Sequence, residues 1–381
     1  ESVPDRIRAG QPDRYLGLLL MLALIQMMVV NVVPFLWYPA TFPAVGIVFA
    51  IGGSRIAGSL DRSPHRPLPV VKKRVLQLLA PLWVMGAILV PSMIALGWTN
   101  TDNGQPLEAT ALLKWILPIS PPPASDLGYQ LAQPIWIWAL SCYLWLLVMS
   151  PALLWLFRRW PKRTLALPLA LLVFNVTGLA PLTGDIGDVV LRVATFGACW
   201  LLGFAHHDGL LARIRPLVAL AVGATLCALG VACAYLMPTF DRGPVPDETP
   251  LAYGFLSIGL TLLLLRLHPF VQGRFGAHRI LTNLVTAVNH RAMTIYLWGH
   301  ACISLSVFFV GLASAQSWWP AVPELAWPTM TLAVASVLQL ACAVCLGWVE
   351  DKAAGRPARI RPWPSTAAAT APHPPRGRSA R

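Results

Sequence analysis

A histidine within an apolar run is the clearest candidate for proton transfer in this sequence. His300 belongs to the stretch NHRAMTIYLWGHACI and lies about two helical turns after its polar start. An imidazole titrates near neutral pH and can act as a general base. An ionisable side chain at membrane depth is also a functional candidate in general. The alternative is a hydrogen bond between helices, and the residues alone leave both open.

Three other polar side chains fall inside apolar surroundings and are candidates for contacting a substrate. Gln26 and Asn31 lie in the first apolar run, and either could orient a hydroxyl group or only connect two helices. Arg192 lies one turn into the sixth apolar run, on the outer side, and Asp188 four residues earlier could pair with it. We therefore predict that Asn31 and His300 have catalytic roles and that Arg192 and Gln26 bind the substrate.

Basic residues at the ends of two apolar runs are candidates for binding phosphate groups. Lys73 and Arg74 precede the third run, and Arg291 precedes the ninth. Guanidinium and ammonium groups form charge-assisted hydrogen bonds with phosphates. The alternative is that these residues only anchor the chain at the cytoplasmic membrane surface.

The sequence His206-His207-Asp208 resembles a metal-binding motif, but we predict no metal site there. Adjacent residues on a helix point in different directions, and the sequence suggests no third ligand nearby. We expect the three residues to cap a helix at the membrane interface.

The elements that must position these residues are membrane-spanning helices. The chain has 381 residues, of which 56% are hydrophobic and 12% charged, with a mean hydropathy of +0.62. Runs near the ~20 residues needed to cross a bilayer predict an all-α integral membrane protein with about ten transmembrane helices. These are placed at 15–33, 42–60, 75–97, 133–157, 164–182, 188–206, 214–236, 250–268, 290–313 and 325–349. The net charge of +13 does not indicate nucleic-acid binding, because the basic residues lie between apolar runs.

The distribution of basic residues predicts the orientation of these helices. If both termini are cytoplasmic, only Lys114, Arg192 and Arg242 of the 29 basic residues fall on the outer side. Residues 1–13 form a polar N-terminal segment and 14–349 the transmembrane domain. The Pro-, Ala- and Arg-rich residues 350–381 are predicted to be a disordered cytoplasmic tail. The long outer loop 98–132 is predicted to be a lid, a binding loop or a flexible tether.

Four stretches in this order resemble the acyltransferase 3 family of membrane O-acyltransferases. They are FPAVGIVFAIGGSRIAGSL followed by KKRVLQLLAPLW, then QPIWIWALSCYLWLLVMSPALLWLFRRWP, ACWLLGFAHHDGLLARI and NHRAMTIYLWGHACI. The resemblance implies a multi-pass protein of the plasma membrane, with its catalytic body in the bilayer. It also implies transfer of an acyl group from acyl-CoA, a co-substrate rather than a bound cofactor, to a hydroxyl. The acceptor would belong to a cell-surface glycan, a glycolipid or a secreted metabolite.

The first helix departs from the pattern of this family. The family usually has an arginine and, about ten residues later, a histidine as the presumed base, and these positions correspond here to Leu20 and Asn31. An asparagine cannot accept a proton near neutral pH. Two hypotheses follow: an active enzyme in which His300 is the base, or a catalytically degenerate relative that binds or translocates a glycan, lipid or metabolite precursor.

Overall fold

A computed structural model describes residues 13–33, 42–99, 107–123, 137–176, 184–236, 249–271, 279–316 and 326–357. Within these ranges the chain forms helices and no strand. In chain order they are α1 (Arg14–Val29), α2 (Ala44–Asp61), α3 (Pro67–Ala95), α4 (Ala109–Ile116), α5 (Ile137–Arg159), α6 (Pro161–Val176), α7 (Gly184–His207), α8 (Leu210–Arg213), α9 (Pro216–Leu236), α10 (Pro250–Val271), α11 (Arg279–His290), α12 (Ala292–Ser314) and α13 (Ala326–Ala353).

Eight of the described helices are long and apolar enough to cross a membrane: α2, α3, α5, α7, α9, α10, α12 and α13. The predicted class, an all-α integral membrane protein, is therefore confirmed. The other two predicted spans, 15–33 and 164–182, correspond to α1 and α6, which have 16 residues each. The outer helix α9 illustrates the membrane environment, because Leu217 and Leu236 are 79% and 80% exposed. Large apolar side chains facing outward suit contact with lipid.

Helix α2 forms the centre of the bundle and packs closely against α7. A Cβ atom added at Gly53 would overlap the carbonyl oxygen of Trp200, and one added at Gly203 would overlap that of Ala50. Small residues allow two backbones to approach closely, as is common between membrane helices. Phe49 and Trp200 fill the adjacent space and are fully buried. Gly53 of α2 and Gly203 of α7 thus allow the polar end of α7 to lie beside α2.

Two predicted boundaries need correction. Helix α3 begins at Pro67 rather than near Val75, because a proline is well suited to the first turn of a helix. Arg74 therefore lies on the helix, not in the preceding loop. Helix α13 continues to Ala353, so the first residues of the predicted tail are helical and packed. Residues 1–12 and 358–381 lie outside the described part of the chain.

The predicted outer loop contains a short helix that packs on the bundle. Helix α4 places Trp115 against Gly86 of α3, and the Trp115 indole donates to the carbonyl oxygen of Pro123 at 3.0 Å. The Trp83 indole donates to Ile116 at 2.8 Å. The described part of this loop, 107–123, is therefore fixed to α3 and is not a flexible tether. Whether it acts as a lid remains a prediction.

Candidate functional site

A cavity of about 810 Å³ opens at one end of the bundle. Its wall includes the start of α1 at Asp13, the end of α2 near Arg62 and the end of α7 at His207. By the predicted orientation these ends face the cytoplasm. The volume lies within the range of small-molecule and cofactor sites. Basic side chains in the lining are Arg14, Arg55, Arg62, Arg74, His206, His207, His290 and Arg356.

Two arginine side chains of this cavity meet at Ser59 of α2, and a third arginine, Arg55, lies one helical turn before it. Arg74 donates to Ser59 Oγ at 2.9 Å, Arg62 donates to the same atom at 3.3 Å, and Ser59 donates to the carbonyl oxygen of Arg55 at 2.8 Å. In the described part of the chain, none of these three guanidinium groups forms an ion pair with a carboxylate. A cluster of arginines without acidic partners is suited to binding a phosphate group. We call Arg55, Arg62 and Arg74 the arginine cluster.

Arg55 is the member of the arginine cluster that the sequence analysis missed. Its Nη2 donates to Asn289 Oδ1 at 2.9 Å, and Asn289 Nδ2 donates to the carbonyl oxygen of Gly17 at 2.8 Å. Arg55 therefore connects α2 to α1 and α11 while it lines the cavity. The signal was present in the sequence, because Arg55 is a charged residue inside the otherwise apolar run 44–60.

A second cavity, of about 480 Å³, lies at the opposite end of the helices. It brings together three residues that the sequence predicted separately: Gln26, Asn31 and Arg192. The Arg192 guanidinium lies 4.8 Å from the centre of the Trp138 ring, a cation–π contact. Asn31 Nδ2 donates to the carbonyl oxygen of Met27 at 2.6 Å, and Asp188 also lines this space. Among the described lining residues, Asp188 is the only carboxylate.

The two cavities share part of their walls. Met27 of α1 and Val45 of α2 line both, so only a thin apolar partition separates them. Helix α1 runs beside both spaces: Leu20 lines the larger cavity and Asn31 the smaller one. Their separation of eleven positions corresponds to about 16 Å along a helix. The two sequence positions that depart from the family pattern thus face different cavities.

The remaining predicted site residues lie elsewhere. His300 lines neither cavity, and its Nε2 contacts Ser304 Oγ at 3.3 Å on the same helix. Lys73 is exposed and points away from the larger cavity that its neighbour Arg74 lines. Arg291 is 2% exposed and pairs with Asp351 at 2.8 Å while donating to the carbonyl oxygen of Gly347. Because its guanidinium already connects α12 to α13, we leave Arg291 out of the proposed phosphate site.

His206 and His207 point apart, as expected for neighbours on a helix, but each meets ligands from other helices. His207 Nε2 lies 2.9 Å from Asp61 Oδ2, and Asp208 lies close to the same group. His206 lies close to Asp13 and His268. The expectation that no third ligand approaches was therefore wrong. These contacts join residues far apart in sequence, so local spacing could not reveal them.

Arg158 binds both carboxylates of the group formed by Asp61, His207 and Asp208. Its Nη1 and Nη2 donate to the two carboxylate oxygens of Asp61 at 2.8 and 2.9 Å. Its Nη2 and Nε donate to Asp208 at 2.7 and 3.1 Å. The guanidinium thus bridges both carboxylates and fixes the ends of α2, α5 and α7 beside one another.

An all-α integral membrane protein with two opposed cavities, each containing a few polar side chains, is the class that the fold and the site define. Residues 29–346 match the model of the acyltransferase 3 family, described as an acyltransferase domain. This match covers most of the chain, so the protein belongs to that family and is a membrane acyltransferase in general terms. Comparison with curated proteins and with solved structures gave no significant match.

Proposed function

We propose that this protein transfers an acyl group from acyl-CoA, bound in the larger cavity, to a hydroxyl group of an acceptor bound in the smaller cavity. The observation that carries the proposal is the arginine cluster, which has no carboxylate partner among the described residues and faces a cavity large enough for a nucleotide thioester. The phosphates of CoA would bind these guanidinium groups. The thioester would then extend toward the partition formed by Met27 and Val45.

The smaller cavity supplies groups suited to a hydroxyl acceptor. The side-chain oxygens of Gln26 and Asn31 can accept a hydrogen bond from a hydroxyl. In the transfer step the C–S bond of the thioester breaks, a C–O ester bond forms, and the hydroxyl proton passes to a base. Asp188 is better placed than His300 to accept this proton, because it lines the acceptor space. The acceptor class remains a cell-surface glycan, a glycolipid or a secreted metabolite, at the plasma membrane.

The test is acyl transfer by the full chain, purified in lipid nanodiscs with labelled acetyl- or succinyl-CoA. The measured rates are thioester hydrolysis and transfer to added hydroxyl acceptors. Asp188→Asn should reduce the rate by about 10²–10⁴-fold, the usual contribution of a general base. His300→Ala is the matched comparison and should retain most of the rate. If His300→Ala instead loses the activity and Asp188→Asn retains it, His300 is the base.

The second hypothesis, a degenerate relative that binds or translocates a precursor, is motivated by Leu20 and Asn31. The double variant Leu20→Arg, Asn31→His restores the family pair, and the structure gives each side chain access to a cavity. If the native chain has no activity and this variant gains it, the degenerate hypothesis is supported. If the native chain already turns over acyl-CoA, the enzyme hypothesis is supported.

A further inference from the structure

Three potential metal ligands from three helices meet at the wall of the larger cavity. Asp13 is the N-cap of α1, His206 lies in the last turn of α7, and His268 lies near the end of α10. One ligand atom from each residue lies within 4.8 Å of the other two. His206 and His268 are 6% and 1% exposed. The chain thus folds to bury one carboxylate between two imidazoles.

The Asp13 carboxylate is oriented by the backbone of its own helix. Its Oδ1 accepts hydrogen bonds from the amides of Tyr15 and Leu16 at 3.0 and 3.3 Å. Its Oδ2 lies 2.7 Å from His268 Nε2, an ion pair when that imidazole is protonated. A divalent ion bound to both atoms would take over the positive charge that a protonated His268 brings to this carboxylate.

We propose that Asp13, His206 and His268 bind a divalent transition-metal ion of the zinc type. Two imidazole nitrogens and one carboxylate oxygen form a ligand set that zinc commonly takes. A tetrahedral ion with bonds of about 2.0–2.1 Å holds its ligands about 3.3 Å apart. The most distant ligand atoms therefore need to approach by at most about 1.5 Å, and the Asp13 and His268 atoms need to separate by about 0.6 Å. Ser54 Oγ lies 3.4 Å from His206 Nδ1 and can hold that ring in position.

An ion held by these residues would be reached from the larger cavity. Asp13, His206 and Ser54 all line that cavity, which provides an access route from the cytoplasmic end. The ion would hold the starts or ends of α1, α7 and α10 together beside the donor site. The proposal does not depend on acyl transfer, because it is based only on the ligand set and its burial.

The neighbouring group of Asp61, His207 and Asp208 lacks these properties. It also has ligand atoms within 4.8 Å of one another, but Arg158 already forms four hydrogen bonds with its two carboxylates. The Asp61 side chain is also 39% exposed. A guanidinium occupies the place that a metal ion would take, so we assign the ion to the buried group only.

The experiment measures metal binding by the full chain in detergent, after chelator treatment and reloading with Zn²⁺ alone. We expect about one zinc ion per chain by elemental mass spectrometry. Asp13→Asn, His206→Gln and His268→Gln should each lower this content at least about tenfold. His65→Gln removes an exposed histidine of the α2–α3 loop and should leave it unchanged. Circular dichroism and gel filtration show whether each variant remains folded.

A measurement on the unmodified chain covers the case in which the variants do not fold. Co²⁺ in the site should give the intense visible absorption of a tetrahedral ion with nitrogen and oxygen ligands. Absence of zinc from the reloaded native chain, thiolate absorption bands, or zinc content unchanged in all three folded variants would overturn the proposal.

Discussion

The arginine cluster makes a quantitative prediction for binding of the acyl donor. Arg74→Gln keeps a polar side chain of moderate length but removes the guanidinium that lies 2.9 Å from Ser59 Oγ. Hydrogen bonds to charged groups contribute about 1.5–3 kcal/mol, and each 1.4 kcal/mol corresponds to about a tenfold change in affinity. We therefore expect Arg74→Gln to raise the Kd for acyl-CoA by about 10- to 100-fold. Arg55→Gln should act in the same direction.

The neighbour Lys73 provides a matched control for this prediction. Lys73→Gln removes one positive charge from the adjacent position, but its side chain is exposed and outside the larger cavity. An exposed charge outside the binding cavity is screened by salt, so we expect Lys73→Gln to change the Kd by less than about threefold. The assay is equilibrium binding of labelled acetyl-CoA to protein in nanodiscs at fixed ionic strength.

Two results would contradict the reasoning. If Arg74→Gln and Lys73→Gln weaken binding equally, the effect is general electrostatic attraction and not a specific site. If neither Arg74→Gln nor Arg55→Gln changes the Kd, the donor does not bind in the larger cavity. Dephospho-CoA, which lacks the 3′-phosphate, adds a further check: Arg74→Gln should have a smaller effect on its binding if Arg74 contacts that phosphate.

The remaining predictions concern packing, the ionic network and orientation. Gly203→Leu should prevent close packing of α7 on α2 and lower the unfolding temperature or abolish expression, measured by fluorescence-detected gel filtration. Asp61→Asn should leave His207 and Arg158 with weaker hydrogen-bond partners. Because the Asp61 side chain is 39% exposed and screened by solvent, we expect the free energy of unfolding in detergent to fall by an amount toward the lower end of about 1–3 kcal/mol. In intact cells, an impermeant thiol reagent should label Lys114→Cys and not His65→Cys. Labelling of His65→Cys alone would mean that the predicted orientation in the membrane is reversed.

The sequence was sufficient to predict the helical class and most helix positions, because runs of apolar residues are a strong signal. Its errors concern the ends of helices. A proline at residue 67 reads as a break in a sequence, but it begins α3 and moves Arg74 onto the helix. Glu350 and Asp351 read as part of a polar tail, but they continue α13 and contact Thr294 and Arg291. Such contacts depend on a partner helix that local composition does not reveal.

The candidate site was predictable only in part. Gln26, Asn31 and Arg192 were selected because they are polar residues in apolar runs, and all three line the smaller cavity. The same criterion selected His300, which contacts a serine of its own helix, and it should have selected Arg55. Burial depth identifies residues that need a partner, but it does not say whether that partner is a ligand or another helix.

The departure of the first helix from its family is best understood together with Arg55. Leu20 takes the place of an arginine in the family pattern, and the structure shows that this position lines the larger cavity. Arg55 extends into the same cavity from α2 and is held there by Asn289. Arg14 of α1 and Arg55 of α2 thus both bring positive charge to the cavity that Leu20 lines, together with Arg62 and Arg74. A lost family residue on one helix therefore does not by itself mean a lost donor site.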